Sequence, residues 1–294
     1  MQGLLLLNKP EGKTSFSCVA AIKRIANEKR VGHTGTLDPM ATGVLPVFLG
    51  RATTLCGMLL DADKRYTATV RLGLTTDTDD ITGAVLTEKE VNVTEEQLIS
   101  ALNRFTGKQK QIPPMYSAIK KDGVRLYALA REGKTVEITP RDVEIFSIKL
   151  TSPLKDNSFT VDVHVSKGTY IRSLARDIGE YLGCGATLTA LERTYAAGYD
   201  ISQCVKLEDL TNDNIADFVA SEETAVSRFR EINVTEKQAV RFLNGGQLGF
   251  DRLKVSNFAD GELLRVKYAD KLLGIGYADN EKNQVAIKCI LNYL

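Results

Sequence analysis

The stretch that most constrains the fold is residues 31–50, VGHTGTLDPMATGVLPVFLG, in which glycine and threonine crowd together between two apolar runs. Gly32, Gly35 and Gly43 have no side chain, so they permit tight turns and close approach of another backbone or a ligand. The run VLPVFLG that follows predicts a short buried strand. The sequence therefore predicts a polar loop that is anchored on a core strand.

One acid, Asp38, lies in the middle of this loop. Pro39 disfavours the helical conformation for the residue before it, which predicts an extended loop position for Asp38. The simplest interpretation of an Asp-Pro pair is a solvated Asx turn. Here His33, Thr34 and Thr36 surround the acid with groups that can hydrogen-bond a ligand, and this favours a functional role.

The length of 294 residues, with 43% hydrophobic and 26% charged residues, is typical of a globular protein with one large domain and a small one. The start, MQGLLLLNKP, has too short an apolar part and no cationic leader, so it predicts a buried strand and no signal peptide. No later stretch approaches the roughly 20 apolar residues of a membrane-spanning helix. We therefore expect a cytoplasmic protein with no membrane partner.

The five cysteines are far apart, form no CxxC pair and have only two histidines to help them. This spacing argues against a zinc site, and small reduced core residues are the simpler interpretation. An odd count also fits a reducing compartment. We expect no metal and no other cofactor.

The charge is unevenly distributed, although the formal net charge is only +1. Residues 104–134 contain eight lysines and arginines against two acids. Two prolines at 113 and 114 predict an exposed, cationic turn over 116–121, and a short helix begins at Tyr127. Such a run is often just a solvated face, but aromatic rings interleaved with cations also suit an RNA surface.

Three segments before this basic region have clear periodicity. A helix capped by Thr14 or Ser15 is predicted to bury the face of Phe16, Val19, Ile22 and Ala26. Residues 66–72 alternate as a strand with Tyr66 on its inward face, where a core tyrosine is the simplest interpretation. Residues 94–106 read as a helix that opens with a capping box and ends at Gly107.

The second half of the chain contains further strands over residues 143–150 and 159–165. They lead to SKGTYIRSLARDIG, where Tyr170 and Arg172 are predicted to emerge on one side of an extended stretch before a helix. A guanidinium at that junction can hold a carboxylate bidentately. Beyond a seam near Phe229, short strands split by turns predict a small β-rich module.

Four separated motifs are similar to one family: NKPEGKTS (8–15), GHTGTLDPMATGVLP (32–46), KRYTATVRLG (64–73) and KGTYIRSLARDIG (167–179). The chain resembles the TruB class of bacterial tRNA pseudouridine-55 synthases. The resemblance implies an α+β pseudouridine-synthase fold, a mixed and mainly antiparallel sheet flanked by helices. It also implies a catalytic domain over residues 1–229 and a small C-terminal β-rich, PUA-like RNA-binding domain over residues 230–294.

The resemblance implies isomerisation of uridine 55 to pseudouridine in the T loop of tRNA, after the target base is flipped out. Asp38 is then the catalytic aspartate, which either attacks the sugar carbon or assists loss of a sugar proton. Arg172 would pair with it, lowering the pKa of its carboxyl group and fixing its orientation. Tyr66 would lie over the target base with its hydroxyl near the proton that leaves C5.

The same resemblance implies a set of substrate-binding residues. Tyr170 and Leu191 would line the base pocket, and His33 would fill the space vacated in the base stack. Asp80 would contact the T loop, and Lys120 would lie in an RNA-contacting segment. The implied partner is the tRNA T stem-loop. We expect the protein to act as a monomer with no protein partner.

Three alternatives stay open at this point. The chain could be an RNA-binding helper of tRNA folding on the same scaffold, or a relative that modifies another RNA. A glycosidase would require a second carboxylate near the first, and the loop shows none. The relatives that work through guide RNA have longer, more basic tails than this chain.

Overall fold

The computed structural model describes residues 1–60, 62–117, 119–121, 123–131, 133, 136–253 and 257–292, and at 120, 121, 125, 127, 128 and 131 it describes the backbone alone. The strands are β1 Gly3–Lys9, β2 Val31–His33, β3 Thr42–Leu49, β4 Lys64–Leu72, β5 Leu74–Thr76, β6 Val85–Glu88, β7 Gly107–Gln111, β8 Lys120–Lys121, β9 Val124–Arg125, β10 Arg141–Lys155, β11 Ser158–Val165, β12 Ala186–Ala196, β13 Tyr199–Asp200, β14 Val205–Lys206, β15 Val219–Ala220, β16 Arg230–Asn233, β17 Leu248–Gly249, β18 Leu263–Tyr268, β19 Lys271–Asp279 and β20 Gln284–Ile290.

The helices lie between and around these strands. The α-helices are α1 Ser15–Ile25, α2 Glu95–Arg104, α3 Leu126–Arg131, α4 Ile171–Tyr181, α5 Glu222–Ala225 and α6 Glu236–Leu243. The 3-10 helices are Gly50–Leu59, Ile201–Gln203, Leu207–Asp209, Ile215–Phe218 and Phe250–Arg252. Within the described ranges, none of the helices is both long and apolar enough to cross a bilayer.

An 11-stranded sheet forms the body of the molecule, in the order β14-β1-β3-β12-β4-β11-β10-β7 with β13, β15 and β2 beside it. Most neighbours are antiparallel, and β1 with β14 and β3 with β12 are parallel. The expected α+β fold with a mixed, mainly antiparallel sheet and a small C-terminal β-rich part is confirmed.

Strand β3 is buried on both faces, which explains its continuous apolar sequence. Its odd-numbered residues Leu45, Val47 and Leu49 pack in a cluster with α1. Val44 and Phe48 point the other way, into a cluster that includes residues of the C-terminal sheet. The loop that carries Asp38 therefore leads directly into a strand whose residues 43–49 are all buried.

Helix α1 begins at the predicted place, because the Thr14 side chain accepts a hydrogen bond from the Ser17 N–H. Its predicted buried face is partly wrong: Phe16 is 78% exposed. Ser15 takes the inward position instead, and its hydroxyl hydrogen-bonds the backbone of Leu37. Phe16 is the next residue in the helix, so its side chain is rotated about 100° away from that of Ser15. Cys18, Val19 and Ile22 complete the buried stripe.

Helix α2 has the predicted capping box of Thr94 and Gln97, but it ends at Arg104. Gly107, at φ +108°, opens an unpredicted edge strand that pairs with β10. The predicted exposed turn over 116–121 is also only partly correct. Ser117 is buried, and Lys120–Lys121 pair with Val124–Arg125 as a small hairpin.

Residues from Arg230 onward form a second sheet in the order β16-β18-β19-β20-β17, with α6 packed on it. Its residues Leu272, Ile275 and Leu291 share an apolar cluster with Phe48 of the large sheet. At the same seam, Glu223 lies 2.8 Å from Arg265 Nη1 and 2.9 Å from Lys267 Nζ. The second sheet is thus joined to the preceding part of the chain by both apolar and ionic contacts.

Candidate active site

The centre of the site is the carboxylate of Asp38, in the loop between β2 and β3. Its Oδ2 atom lies 3.0 Å from Nε of Arg172, and its side chain is 36% exposed. The Ala41 N–H donates to the Asp38 carbonyl at 3.1 Å, closing a tight turn just behind the acid. Asp38 therefore lies in a loop, as predicted, and its carboxylate is partly exposed.

Neighbouring backbone and side chains tie down the loop around Asp38. The Ser15 hydroxyl accepts from the Leu37 N–H at 2.9 Å and donates to the Leu37 carbonyl at 3.1 Å. On the other side of the acid, the Pro39 carbonyl accepts from the Gly12 N–H at 2.8 Å and from Lys9 Nζ at 3.2 Å. The residues before and after the carboxylate are thus both fixed by the NKPEGKTS segment.

Lys9 is fully buried, and sequence reasoning did not assign it a role in the site. Besides Pro39, its ammonium group donates to the carbonyls of Pro10 at 2.8 Å and Lys13 at 2.6 Å. Burial lowers its pKa, while the charge of Asp38 acts in the opposite direction. The only signal in the sequence was a lysine closing the apolar run LLLLNK, which is a weak one.

Arg172 contacts three separate segments of the site. It lies in the first turn of α4 with a side chain only 5% exposed. Its Nη1 donates to the Thr78 carbonyl at 2.9 Å and lies 3.5 Å from Asp80 Oδ2, and its Nη2 donates to the Tyr116 carbonyl at 2.8 Å. One guanidinium therefore connects the Asp38 loop, the Asp80 turn and the segment before the hairpin.

The prediction that Tyr170 and Arg172 emerge on one side of an extended stretch is wrong. Gly168, at φ +78°, bends the chain, Tyr170 is the N-cap residue and the helix starts at Ile171. Tyr170 is held through its backbone, since Gln111 accepts from its N–H at 2.8 Å and donates to its carbonyl at 3.0 Å. Burial raises the pKa of its phenol.

Asp80 is almost completely enclosed, with 6% of its side chain exposed. Its Oδ1 accepts from the Thr78 hydroxyl at 2.9 Å, from the Thr82 N–H at 3.0 Å and from the Thr82 hydroxyl. Its Oδ2 faces Arg172. The structure thus places this acid beside Asp38's partner, and its contact with a T loop stays a prediction.

The pKa of Asp38 is raised above its usual value, although Arg172 acts to lower it, as expected. Burial is the largest cause, and the negative charge of Asp80 acts in the same direction. Arg172, by its charge and its hydrogen bond, and Lys9, by its charge, oppose the rise. The cations therefore offset the cost of burying a carboxylate and do not make it unusually acidic.

An apolar cluster beneath the loop contains Tyr66, Leu191, Leu37 and Met40. Tyr66 is 7% exposed on the inward face of β4, as its alternation predicted. Leu191 lies on the adjacent strand β12, where it pairs with Ala68. The structure therefore brings two of the predicted pocket residues together with the loop that carries Asp38.

His33 ends β2, one residue before the loop. Its Nδ1 is buried and has no hydrogen-bond partner among the described residues. Burial, followed by the charge of Arg193, lowers its pKa, so the imidazole is neutral at pH 7. Lys120 lies in the β8–β9 hairpin, but its side chain is outside the described part of the structure.

We find no metal site in the described ranges, where no three histidine, cysteine, aspartate or glutamate side chains are grouped to hold an ion. What the geometry offers is a partly exposed carboxylate next to a buried arginine, above an apolar cluster that includes a tyrosine. Such a carboxylate can act as a nucleophile or as a base.

The chain is similar in sequence to family models and to known proteins. Residues 23–171 match the model of the TruB family pseudouridylate synthase N-terminal domain, and residues 172–229 match that of the tRNA pseudouridylate synthase B C-terminal domain. A protein of Clostridium tetani named tRNA pseudouridine synthase B is 43% identical over 96% of this chain and 97% of its own length. One of the same name from Shewanella woodyi is 41% identical over 99% of this chain and 94% of its own.

Two solved structures share the fold over 99% of this chain. One is an H/ACA RNP bound to a substrate RNA containing 2'-deoxyuridine, with a TM-score of 0.75, 25% identity and 85% of that chain covered. The other is a Cbf5-Nop10-Gar1 complex, with a TM-score of 0.75, 27% identity and 84% of that chain covered.

Proposed function

This chain belongs to the TruB family of pseudouridylate synthases, and on that premise we propose that Asp38 is the residue that opens the glycosidic bond. The chain is an isomerase that converts uridine in tRNA to pseudouridine. One observation carries the assignment to Asp38: of the two acids at Arg172, only Asp38 is partly exposed, whereas Asp80 is enclosed.

The reaction breaks the N1–C1′ bond of the uridine, turns the detached uracil and joins its C5 to the same sugar carbon. The C5 proton leaves and N1 ends with a proton, so the product is an isomer and no redox change is needed. An ionised Asp38 begins either route, by attack on C1′ or by assisting loss of a sugar proton. Arg172 orients the carboxylate and stabilises its charge.

The surrounding residues receive roles in the same proposal. A uridine inside a folded loop has to be extruded before chemistry, and its base would then lie against the apolar cluster beneath Asp38. Tyr66 stacks on that base, and Tyr170 and Leu191 complete the proposed base pocket. His33, neutral and at the mouth of the loop, fills the space left in the RNA stack. Lys120 contacts the phosphate backbone.

We propose that the target is uridine 55 of the T stem-loop, acted on by a monomer in the cytoplasm. The five cysteines are all free, which fits a reducing compartment. One of the two solved relatives is a complex with the proteins Nop10 and Gar1, and the monomer is therefore a specific claim that mass measurement in solution tests. A folding helper with incidental chemistry is not favoured, because the curated relatives are named as synthases.

The test uses the full chain and an isolated T stem-loop RNA. We expect the native protein to convert uridine 55 alone, and an RNA with cytidine at that position to give no product. Asp38→Asn should reduce the single-turnover rate by about 10,000-fold or more while the RNA dissociation constant stays within about threefold. Asp156→Asn, in an exposed turn between β10 and β11, is the matched control. Turnover near the native rate in Asp38→Asn would refute the assignment.

A further inference from the structure

Arg193 of β12 is a buried arginine that the proposed chemistry does not use. Only 1% of it is exposed. Its Nε donates to the Val44 carbonyl at 2.8 Å, and its Nη2 donates to the Gly35 carbonyl at 2.9 Å. These two carbonyls lie on either side of Asp38 in the sequence. A single planar guanidinium therefore spans the entrance and the exit of the catalytic loop.

The backbone of Arg193 adds a second connection. It pairs in parallel with Gly43, at the exit of the loop, and directly opposite Tyr66 on β4. The approach at Gly43 is so close that a Cβ there would lie 2.2 Å from the Arg193 carbonyl oxygen. Because strand pairing fixes both neighbours, this residue sets the register between the loop that carries Asp38 and the strand that carries Tyr66.

Burying the charged guanidinium of Arg193 costs free energy, and a purely structural role would not require that charge. Within the described residues, no carboxylate lies within 4.0 Å of its guanidinium, so its known partners are neutral carbonyls. It also lies close enough to Lys9 and His33 for its charge to act to lower the pKa of each. Burying an unpaired cation beside another cation costs free energy that a neutral side chain would not.

We propose that Arg193 is a positioning residue of the isomerisation, whose guanidinium holds both ends of the Asp38 loop in register with Tyr66. This inference rests on the proposed role of Asp38. A displacement of about 1 Å of a reacting group can cost about 100-fold in rate, so two charge-assisted bonds at the ends of an eight-residue loop are sufficient to matter. Only arginine offers two donors in a rigid fork, which a lysine cannot reproduce.

The test compares Arg193→Met, which keeps an unbranched side chain but removes its donors, with Arg193→Lys, which keeps the charge. Single-turnover rates and dissociation constants are measured on the T stem-loop RNA, at a temperature where circular dichroism shows each variant to be folded. We expect Arg193→Met to lose about 100-fold in rate while RNA affinity changes by less than about threefold. Arg193→Lys should recover part of that loss.

A second variant reaches the same contact from the loop side and keeps the test valid if Arg193→Met does not fold. In Gly35→Ala, the added Cβ would lie 3.3 Å from Arg193 Nη1, at a position with φ +78°. Gly183→Ala is the matched control, because Gly183 has φ +80° and open space around the Cβ position. We expect Gly35→Ala to lower the rate at unchanged RNA affinity, and Gly183→Ala to lower stability alone.

The proposal is overturned if Arg193→Met reacts within about threefold of the native rate, or if its loss appears in RNA affinity and not in rate. Equal rates in Gly35→Ala and Gly183→Ala overturn it as well. These outcomes are separable from failure of the proposed function. If Asp38→Asn still reacts, the role of Asp38 is wrong; if Asp38→Asn is inactive and Arg193→Met is near native, only the role of Arg193 is wrong.

Discussion

The acids of the Asp38 loop and the Asp80 turn face different nitrogens of the same guanidinium, but the two segments use their acids in opposite ways. The loop is fixed by side chains from elsewhere, Ser15 and Lys9, which bond its backbone and leave the carboxylate with Arg172 alone among the described residues. The turn is fixed by its own acid, whose oxygens accept from Thr78 and Thr82 as well.

This difference teaches how one of two neighbouring carboxylates becomes reactive. A carboxylate whose acceptor sites are filled by hydrogen bonds in a closed pocket serves as structure, since substrate cannot displace its partners without exposing buried donors. A carboxylate whose loop is held by other groups keeps its oxygens available. Reactivity at this site therefore depends on the other groups that fix the Asp38 loop and leave its carboxylate available. Each prediction below removes one part of that arrangement.

The largest expected combined effect on stability and rate comes from Arg172→Met, which removes the cation that both acids share. Asp80 would then be buried without its charged partner, and we expect a loss of about 3–5 kcal/mol in the free energy of unfolding. Asp38 would lose both orientation and charge stabilisation, with a rate loss of about 100- to 1,000-fold. Urea unfolding and single-turnover assays measure the two losses.

Arg71→Met is the matched control for this change. Arg71 is exposed and lies 3.9 Å from the exposed Glu88, so the loss should stay within about 1 kcal/mol. If Arg172→Met is as stable as this control, Asp80 is not held by the guanidinium and the comparison between the two acids fails.

Asp80→Asn should show the reverse pattern to Asp38→Asn. An amide can accept from Thr82 but cannot face Arg172 as a charged partner, so unfolding should be easier by about 1–3 kcal/mol. Turnover should survive with a loss of about 10- to 100-fold, through a less well oriented Arg172. Asp38→Asn should instead be inactive with little loss of stability. A variant pair in which Asp80→Asn is the less active would show that the roles have been exchanged.

A smaller effect is expected from Ser15→Ala, which leaves the Leu37 N–H and carbonyl without their side-chain partner. Because the Leu37 groups are buried beside Asp38, we expect a loss of about 1–3 kcal/mol in stability and about tenfold or less in rate. Ser17→Ala is the control, since Ser17 is exposed and its hydroxyl donates to the Thr14 carbonyl within the first turn. Equal effects of the two changes would show that the loop does not depend on Ser15.

These contacts also mark the limit of what the sequence could predict. The glycine-rich loop, the buried strand β3 and the inward face of Tyr66 follow from local patterns, and the structure confirms these elements of the fold. The approach of Arg172 to Asp38 came from resemblance and agrees with the geometry. The catalytic and binding roles themselves stay predictions until they are measured.

Other features depend on contacts between distant segments, so no local pattern could reveal them. Arg193 and Gly35 are 158 residues apart, and the hydrogen bond between them is a product of strand order. Asp80 lies in a run of threonines and acids, TTDTDD, that indicates a solvated turn, and only the fold encloses it. The raised pKa of Asp38 is a third case, because burial outweighs the visible partner.

The smallest expected effect is a shift in the pH dependence of the single-turnover rate. This shift measures how strongly the charge of Asp80 affects the ionisation of Asp38. The reaction needs ionised Asp38, and burial first, then the charge of Asp80, raise the pKa of its carboxyl group against the opposing charges of Arg172 and Lys9. The single-turnover rate should therefore fall with decreasing pH at a pH above that expected for an ordinary aspartate. Asp80→Asn removes a negative charge, which lowers the pKa of Asp38 and moves this fall to lower pH.

The pH profile of Asp79→Asn provides the control, because Asp79 belongs to the same turn but pairs with Arg176 at 3.0 Å. Its profile should coincide with that of the native protein, apart from any uniform loss of rate. Circular dichroism at each pH confines the comparison to folded protein. A profile that shifts equally in both variants would mean that the turn acts on Asp38 through its shape; a shift in Asp80→Asn alone would mean that one acid supplies structure and still tunes the charge of the other.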